Sequence, residues 1–188
     1  MAKMTNITTP IGELQWVSID TPRTNPFNNN EEFQASVICS AEDAKDTITQ
    51  LKQIFKDEHP NKKPQSMGYK TLEDGRVEFR FKTKATLSNG SKKEVKCVDA
   101  YKKPFPHKAN IGNGSTGRIS GAAGVYSQGA NNGVSLYLNA VQVLEWLEYE
   151  ADDGFDEVDG YESYADDSTQ TQNTSNNSIP QLEDEFDF

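Results

Sequence analysis

The chain has 188 residues with 19 Lys or Arg and 29 Asp or Glu, a formal net charge of −10. The charge is divided along its length: residues 150–188 hold 13 acids and no base, whereas residues 1–149 hold 19 bases against 16 acids, a net +3. Two isolated cysteines, Cys39 and Cys97, exclude a disulfide framework and a paired zinc motif, and no window approaches the roughly 18 apolar residues of a membrane span.

Met1-Ala2-Lys3-Met4-Thr5 has no apolar core and no cleavage pattern, so no export signal is expected. Residues 1–149 suffice for one domain that buries most of its apolar surface without staples. Glu13–Asp20 is rich in strand formers and is predicted as a first strand, with Leu14 and Trp16 on one face and Val17 and Ile19 on the other. Thr21–Asn30, full of Pro and Asn, is predicted as a loop. A second strand is expected over Glu32–Cys39, where Phe33, Ala35, Val37 and Cys39 share a face.

Ser40-Ala41-Glu42-Asp43 is a capping-box-like start, and Ala44, Ile48, Leu51 and Phe55 then recur at helical spacing until Pro60 enforces a stop, which predicts a helix over 41–58. Asp74-Gly75 and Asn89-Gly90 lie between alternating runs and predict two hairpins, joining Met67–Leu72 to Arg76–Leu87 and that strand to Lys92–Asp99. In the long middle strand Val77, Phe79, Phe81, Thr83, Ala85 and Leu87 face a core, and Glu78, Arg80, Lys82, Lys84 and Thr86 the other side.

Tyr101-Lys102-Lys103-Pro104-Phe105-Pro106-His107-Lys108 cannot be regular because its two prolines break helix and central strand alike. It is expected as an exposed loop behind a strand-end cap at Asp99. Gly117–Tyr126 and Gly133–Glu148 read as a last pair of strands around the turn region Gln128–Asn132. Val134–Leu147, apolar on both faces, is predicted as a central or bulged strand. Beyond Tyr149 the pattern dissolves into acids and a Ser, Thr, Gln and Asn spacer, which predicts a disordered tail.

Gly112-Asn113-Gly114-Ser115-Thr116-Gly117 formally matches a dinucleotide fingerprint, but a strand and not a helix follows, so it reads as a glycine-rich loop. His59 and His107 have no partner by spacing; no catalytic set, metal site or cofactor is expected, and both cysteines read as reduced core thiols in a reducing cytoplasm. What remains is positive charge beside aromatics. Arg80, Lys82 and Lys84 lie on one strand face; Tyr101, Lys102, Lys103, Phe105, His107 and Lys108 lie in the loop after the next strand, with Arg118 further on. If those two strands pair, the sets fall on one surface suited to single-stranded nucleic acid, where cations track phosphates and rings stack on bases. Trp16, Tyr69, Tyr126 and Tyr137 are further stacking candidates, each otherwise core, and Lys3 is available on an N-terminal arm.

The stretches Val98-Asp99-Ala100-Tyr101-Lys102-Lys103 and Ile111-Gly112-Asn113-Gly114-Ser115, the strand Val134–Leu147 followed by acid, and the ending Glu183-Asp184-Glu185-Phe186-Asp187-Phe188 occur in an order that resembles the bacteriophage single-stranded DNA-binding proteins of the replication type. The likeness spans nearly the whole chain. It implies a mainly β fold, a five-stranded OB barrel with one inserted helix over residues 1–149, and a disordered acidic C-terminal tail over 150–188. It also implies a non-catalytic protein that coats single strands in phage replication, recombination and repair, in the cytoplasm of the infected host. The tail is then expected to recruit replication proteins such as DNA polymerase and helicase-primase, and to compete with DNA for the basic cleft. A homodimer is a further expectation. The family's DNA contacts match Arg80, Lys82, Lys102, Lys103 and Lys3; Tyr101 and Pro104-Phe105-Pro106 depart from its pattern, so stacking can replace some charge contact there. The rival reading is an acidic interaction or DNA-mimic protein whose tail occupies a partner's nucleic-acid site.

Overall fold

Local chemistry sets the helix where the sequence places it. The computed structural model describes residues 4–149; Lys3, the tail 150–188 and its terminal cluster Glu183–Phe188 lie outside the described residues. Strand β1 (Met4–Thr8) is followed by β2 (Gly12–Thr24), β3 (Glu31–Cys39), helix α1 (Ala41–Glu58), β4 (Tyr69–Thr71), β5 (Val77–Lys84), β6 (Lys96–Val98), β7 (Thr116–Gln128) and β8 (Asn131–Glu145). The Ser40 hydroxyl accepts from the Asp43 amide at 3.1 Å, closing the first turn of α1. Ala44, Thr47, Leu51 and Phe55 of α1 are buried, with Ile48 packed at the margin of the core.

Five strands close a ring in the order β7-β2-β3-β5-β8, with β8 returning to β7. All its pairs are antiparallel except β5–β8, which is parallel and meets at the single pair Lys82↔Tyr137. This is the predicted five-stranded barrel with an inserted helix, and its interior holds Leu14, Phe79, Phe81, Ile119 and Leu138, all fully buried. Burial of each such side chain stabilises by about 1.5–3 kcal/mol. Gly121 and Gly117 let β7 cross β8 this closely, since a Cβ on Gly121 would stand 2.1 Å from the Tyr137 carbonyl oxygen and one on Gly117 2.3 Å from that of Gln142.

The Asp74-Gly75 hairpin forms as expected, with Gly75 at φ 85° and Thr71 opposite Val77. Strand β8 is both central and bulged: it pairs with β5, β6 and β7, and its register against β7 slips at Ser120/Gly121 and Thr116/Gly117. Both thiols are buried and unpaired.

Three expectations are corrected and one strand is added. Trp16 does not share the face of Leu14: a bulge sets the four residues Gln15 to Ser18 against the three residues Gln34 to Ser36 of β3, so Leu14 and Ile19 both reach the core and Trp16 stands out. The predicted loop begins only after Thr24, because Arg23 and Thr24 still pair with Glu32 and Glu31. The Asn89-Gly90 turn forms, but pairing with the middle strand ends at Thr86↔Lys92, and the chain leaves to run parallel to β8 as β6. A strand absent from the sequence reading, β1, pairs with β7 along Met4↔Gly124 to Thr8↔Ser120.

Two outcomes follow. Gly121→Ala should lower the urea midpoint by the equivalent of about 1–3 kcal/mol, the usual cost of forcing atoms into a packed contact. Burial pushes the Cys97 thiol from its ordinary 9.0 to about 11, with the Lys108 charge pulling weakly the other way. The unfolded thiol therefore ionises first, so the stabilising contribution of Cys97 is whole below pH 9 and is lost as pH rises to about 11. The loss of urea resistance across that window should be smaller in Cys97→Ala.

Candidate nucleic-acid interface

The outer face of the barrel is built by strand alternation. Residues whose neighbours fill the interior must point outward, which places Gln34 and Ser36 of β3 beside Lys82 and Arg80 of β5 in register. Gln34 also faces Ser18 of β2, and Lys82 faces Tyr137 of β8, so one row crosses four strands. A hollow of about 440 Å³ lies between Tyr69, Lys70, Arg80, Lys82 and Tyr137. Smaller hollows of about 200, 170 and 220 Å³ continue from it, sharing Lys82, Arg80, Arg23, Gln34 or Trp16 from one to the next. Together they form one groove from β8 across β5 and β3 to the bulge in β2.

The groove is lined by cations and rings. Arg80 is held by Glu78, its Nη2 lying 3.2 Å from a carboxylate that is only 10% exposed, while the Arg80 side chain remains 56% exposed. The guanidinium is thus steered without being hidden. Trp16 is 55% and Tyr137 38% exposed, and Phe27, almost fully exposed, stands over the hollow that holds Arg23 and Lys82. Cations outnumber the groove's two carboxylates, Glu32 and Glu78.

The loop residues go elsewhere. Asp99 caps the turn, its Oδ1 accepting from the amides of Tyr101 at 2.8 Å and Lys103 at 2.9 Å, which leaves Tyr101 84% exposed. Lys102 is held at φ 64°. With Lys96 and Arg118 it lines a separate cleft of about 700 Å³ between β1, β6, β7 and β8, which shares no lining residue with the groove. There the Arg118 Nε donates to Gln142 Oε1 at 2.7 Å. Because the middle strand and β6 do not run side by side, the two basic sets do not merge into the single surface that their pairing would have made.

Phe105 packs against the core, and His107 stacks flat on Trp146 with ring centres 4.3 Å apart. Lys108 lies 3.4 Å from Asp20. Lys84 sits at the exposed end of β5 opposite Glu32, at the margin of the groove. Of the predicted residues the structure therefore gathers Trp16, Tyr69, Arg80 and Lys82, puts Lys102 and Arg118 in the second cleft, leaves Tyr101 and Lys103 exposed on the loop, and uses Phe105, His107 and Lys108 in packing and pairing. The sequence reading missed Arg23, Lys70 and Phe27. Arg23 and Phe27 fall in the Pro- and Asn-rich span predicted as a loop; the signal for Arg23 is the continuation of β2 past Pro22, which only pairing with β3 reveals.

The glycine-rich loop is structural. The Gly112 amide donates to the Leu147 carbonyl at 2.8 Å, and the Ser115 hydroxyl, fully buried, donates to Gly112 and accepts from the Leu147 amide at 3.0 Å. A strand follows it, so no helix N-terminus is there to hold a phosphate. Among the described residues no cluster of three or more His, Cys, Asp or Glu could hold a metal ion, and no helix is long and apolar enough to cross a membrane.

No protein-family model and no curated protein matches the sequence. Solved structures do. The single-stranded DNA-binding protein gp2.5 encoded by bacteriophage T7 aligns with a TM-score of 0.66 at 16% identity, over 86% of this chain and all of that one. The single-stranded DNA-binding protein of bacteriophage Enc34, in complex with single-stranded DNA, aligns with a TM-score of 0.59 at 8% identity, over 76% of this chain and 88% of that one. Its C-terminally truncated form gives the same TM-score at 9% identity, over 76% and 87%. The chain has the OB-barrel fold of these phage single-stranded DNA-binding proteins.

Proposed function

We propose that this protein is a non-catalytic, sequence-tolerant single-stranded DNA-binding protein that coats DNA during phage replication, recombination and repair, in the cytoplasm of the infected host. The observation that carries the reading is the continuous groove with Trp16, Tyr69 and Tyr137 interleaved with Arg23, Arg80 and Lys82. It lies over the second and third barrel strands, the face on which OB folds hold oligonucleotides. Phosphates follow the cations, and unpaired bases stack on the rings at about 1–3 kcal/mol each. Duplex DNA keeps its bases stacked on one another and cannot use the rings.

On this reading residues 1–149 form the binding domain and residues 150–188 an acidic arm. Its 13 negative charges compete with DNA for the basic body, and Phe186 and Phe188 dock on replication proteins such as a polymerase or helicase-primase once DNA displaces the arm. A homodimer linked through the arms fits the same charge division. The second cleft, with Lys102 and Arg118, adds a further basic surface for a polyanion.

Fluorescence anisotropy with a labelled oligothymidine and a duplex of equal length tests the reading. The single strand should bind more tightly, with log affinity falling linearly in log salt. Arg80→Ala/Lys82→Ala should weaken every single strand about equally and flatten the slope by about 1.4, at about 0.7 per lost phosphate contact. Equal binding of duplex and single strand, or a salt response already flat in the unaltered protein, would instead favour an acidic mimic whose body is a scaffold. A chain ending at Tyr149 should bind single-stranded DNA more tightly than the full chain at low salt, the gap closing as salt rises; no gap at any salt defeats the competing-arm model.

A further inference from the structure

The groove ends in a built pocket. At its β2 end a hollow of about 220 Å³ is walled by Trp16, Arg23, Asn113 and Tyr149. Trp16 and Tyr149 are 55% and 59% exposed, so two large apolar rings and a guanidinium face one small space. The rings offer planar faces for stacking, the guanidinium a cation.

Trp16 is not free to choose this position. Its φ of 53° lies in the left-handed region, which is costly for a bulky side chain. The ladder joining β2 to β7 continues past Glu13↔Thr116 through the Leu14 amide, which donates to Ser115 at 2.7 Å, and the Gly114 amide, which donates to Leu14 at 3.0 Å. Two residues further on, where β2 bulges against β3, the backbone ladder to β7 has ended. There the Asn113 side chain supplies the missing acceptor, with its Oδ1 taking the Trp16 amide at 2.8 Å. The loop that carries Asn113 is itself clamped on the other side by Leu147.

We infer that the pocket between Trp16, Arg23 and Tyr149 is a nucleobase subsite that receives one end of the bound strand, and that Asn113 is the positioning residue that holds Trp16 toward it. The inference rests on the single-stranded DNA reading and adds to it a location and a residue that acts through another. A smaller residue at 113 leaves the Trp16 amide without its acceptor, so the bulge relaxes toward ordinary strand geometry and the ring turns away from the pocket.

The chain has two tryptophans, so in a Trp146→Phe background the fluorescence of Trp16 alone is read as oligothymidine is added. The expected result is strong quenching that Asn113→Ala largely abolishes, with affinity about fivefold to hundredfold lower, the range of one lost stacking contact. The salt slope should not change. Trp16→Ala should lose a similar factor, and Trp16→Ala/Asn113→Ala should be no weaker than Trp16→Ala alone, because the second residue works only through the first. Tyr149→Ala, which leaves the bulge intact, should weaken binding while Trp16 is still quenched; urea midpoints establish that each variant is folded. Wild-type quenching and affinity in Asn113→Ala, or losses that add in the double variant, overturn the subsite while leaving the function standing. Failure of the unaltered protein to bind oligothymidine overturns both.

Discussion

The seam where β2 meets β7 is the constraint on which the rest of the structure depends. It is only a few residues long, Gly12↔Gly117 and Glu13↔Thr116 with the Leu14–Ser115 and Gly114–Leu14 bonds beyond. Without it the sheet stays open and Leu14, buried completely, has no interior to enter. Glycine is required on both sides, since a Cβ on Gly12 would stand 2.3 Å from the Ile38 carbonyl oxygen and one on Gly117 as close to that of Gln142. The same seam ends in the loop that carries Asn113, so the closure of the barrel and the placing of the most exposed tryptophan are one event. The loop also grips the backbone of Leu147 through Gly112 and Ser115.

Charge is distributed on this frame in two tracts. One runs along the groove, where Glu78 steers Arg80 and the rings of Trp16, Tyr69 and Tyr137 lie between the cations. The other is the cleft of Lys96, Lys102 and Arg118, which has no aromatic lining. A tract with rings distinguishes unpaired from paired bases, because only unpaired bases expose their faces; a tract of cations alone answers to any polyanion, an acidic arm as well as a phosphate backbone. In the function proposed above, the acidic arm competes with DNA by charge without matching what the groove provides by stacking.

How much of this was legible in the sequence depends on the distance over which each feature is decided. Helix α1 was readable to its ends because Ser40, the apolar stripe from Ala44 to Phe55 and Pro60 all act within a turn or two. The Asp74-Gly75 hairpin and the inward face of Val77, Phe79 and Phe81 were equally local. The partner of Lys96–Val98 was not, since proximity through Asn89-Gly90 favoured β5 and only the closed ring makes β8 available. Strict alternation puts Trp16 beside Leu14, because a single-residue bulge reverses the positions that follow it, up to the next register shift after Ser18, and leaves no mark in composition. The charged residues of the site were visible as residues, but their grouping was not: Arg80 and Lys102 look alike in a list of cations and lie in different hollows. His107 and Phe105 read as exposed stacking groups because Trp146, which His107 stacks on, is 39 positions away.

The sequence tolerance proposed above has its physical basis in what the groove lacks. Reading a base requires donors and acceptors held rigidly against its edge, as a bidentate Arg or Asn pair would be. Along the cross-strand row from Ser18 through Gln34 and Lys82 to Tyr137, the polar groups sit one to a strand, and Lys82 carries its charge on a flexible stem. Arg80 has a guanidinium capable of bidentate contact, but its Nη2 is already engaged with Glu78. Ring faces accept every base. Under the function proposed above, such a surface rewards unpaired strands in general and penalises none in particular.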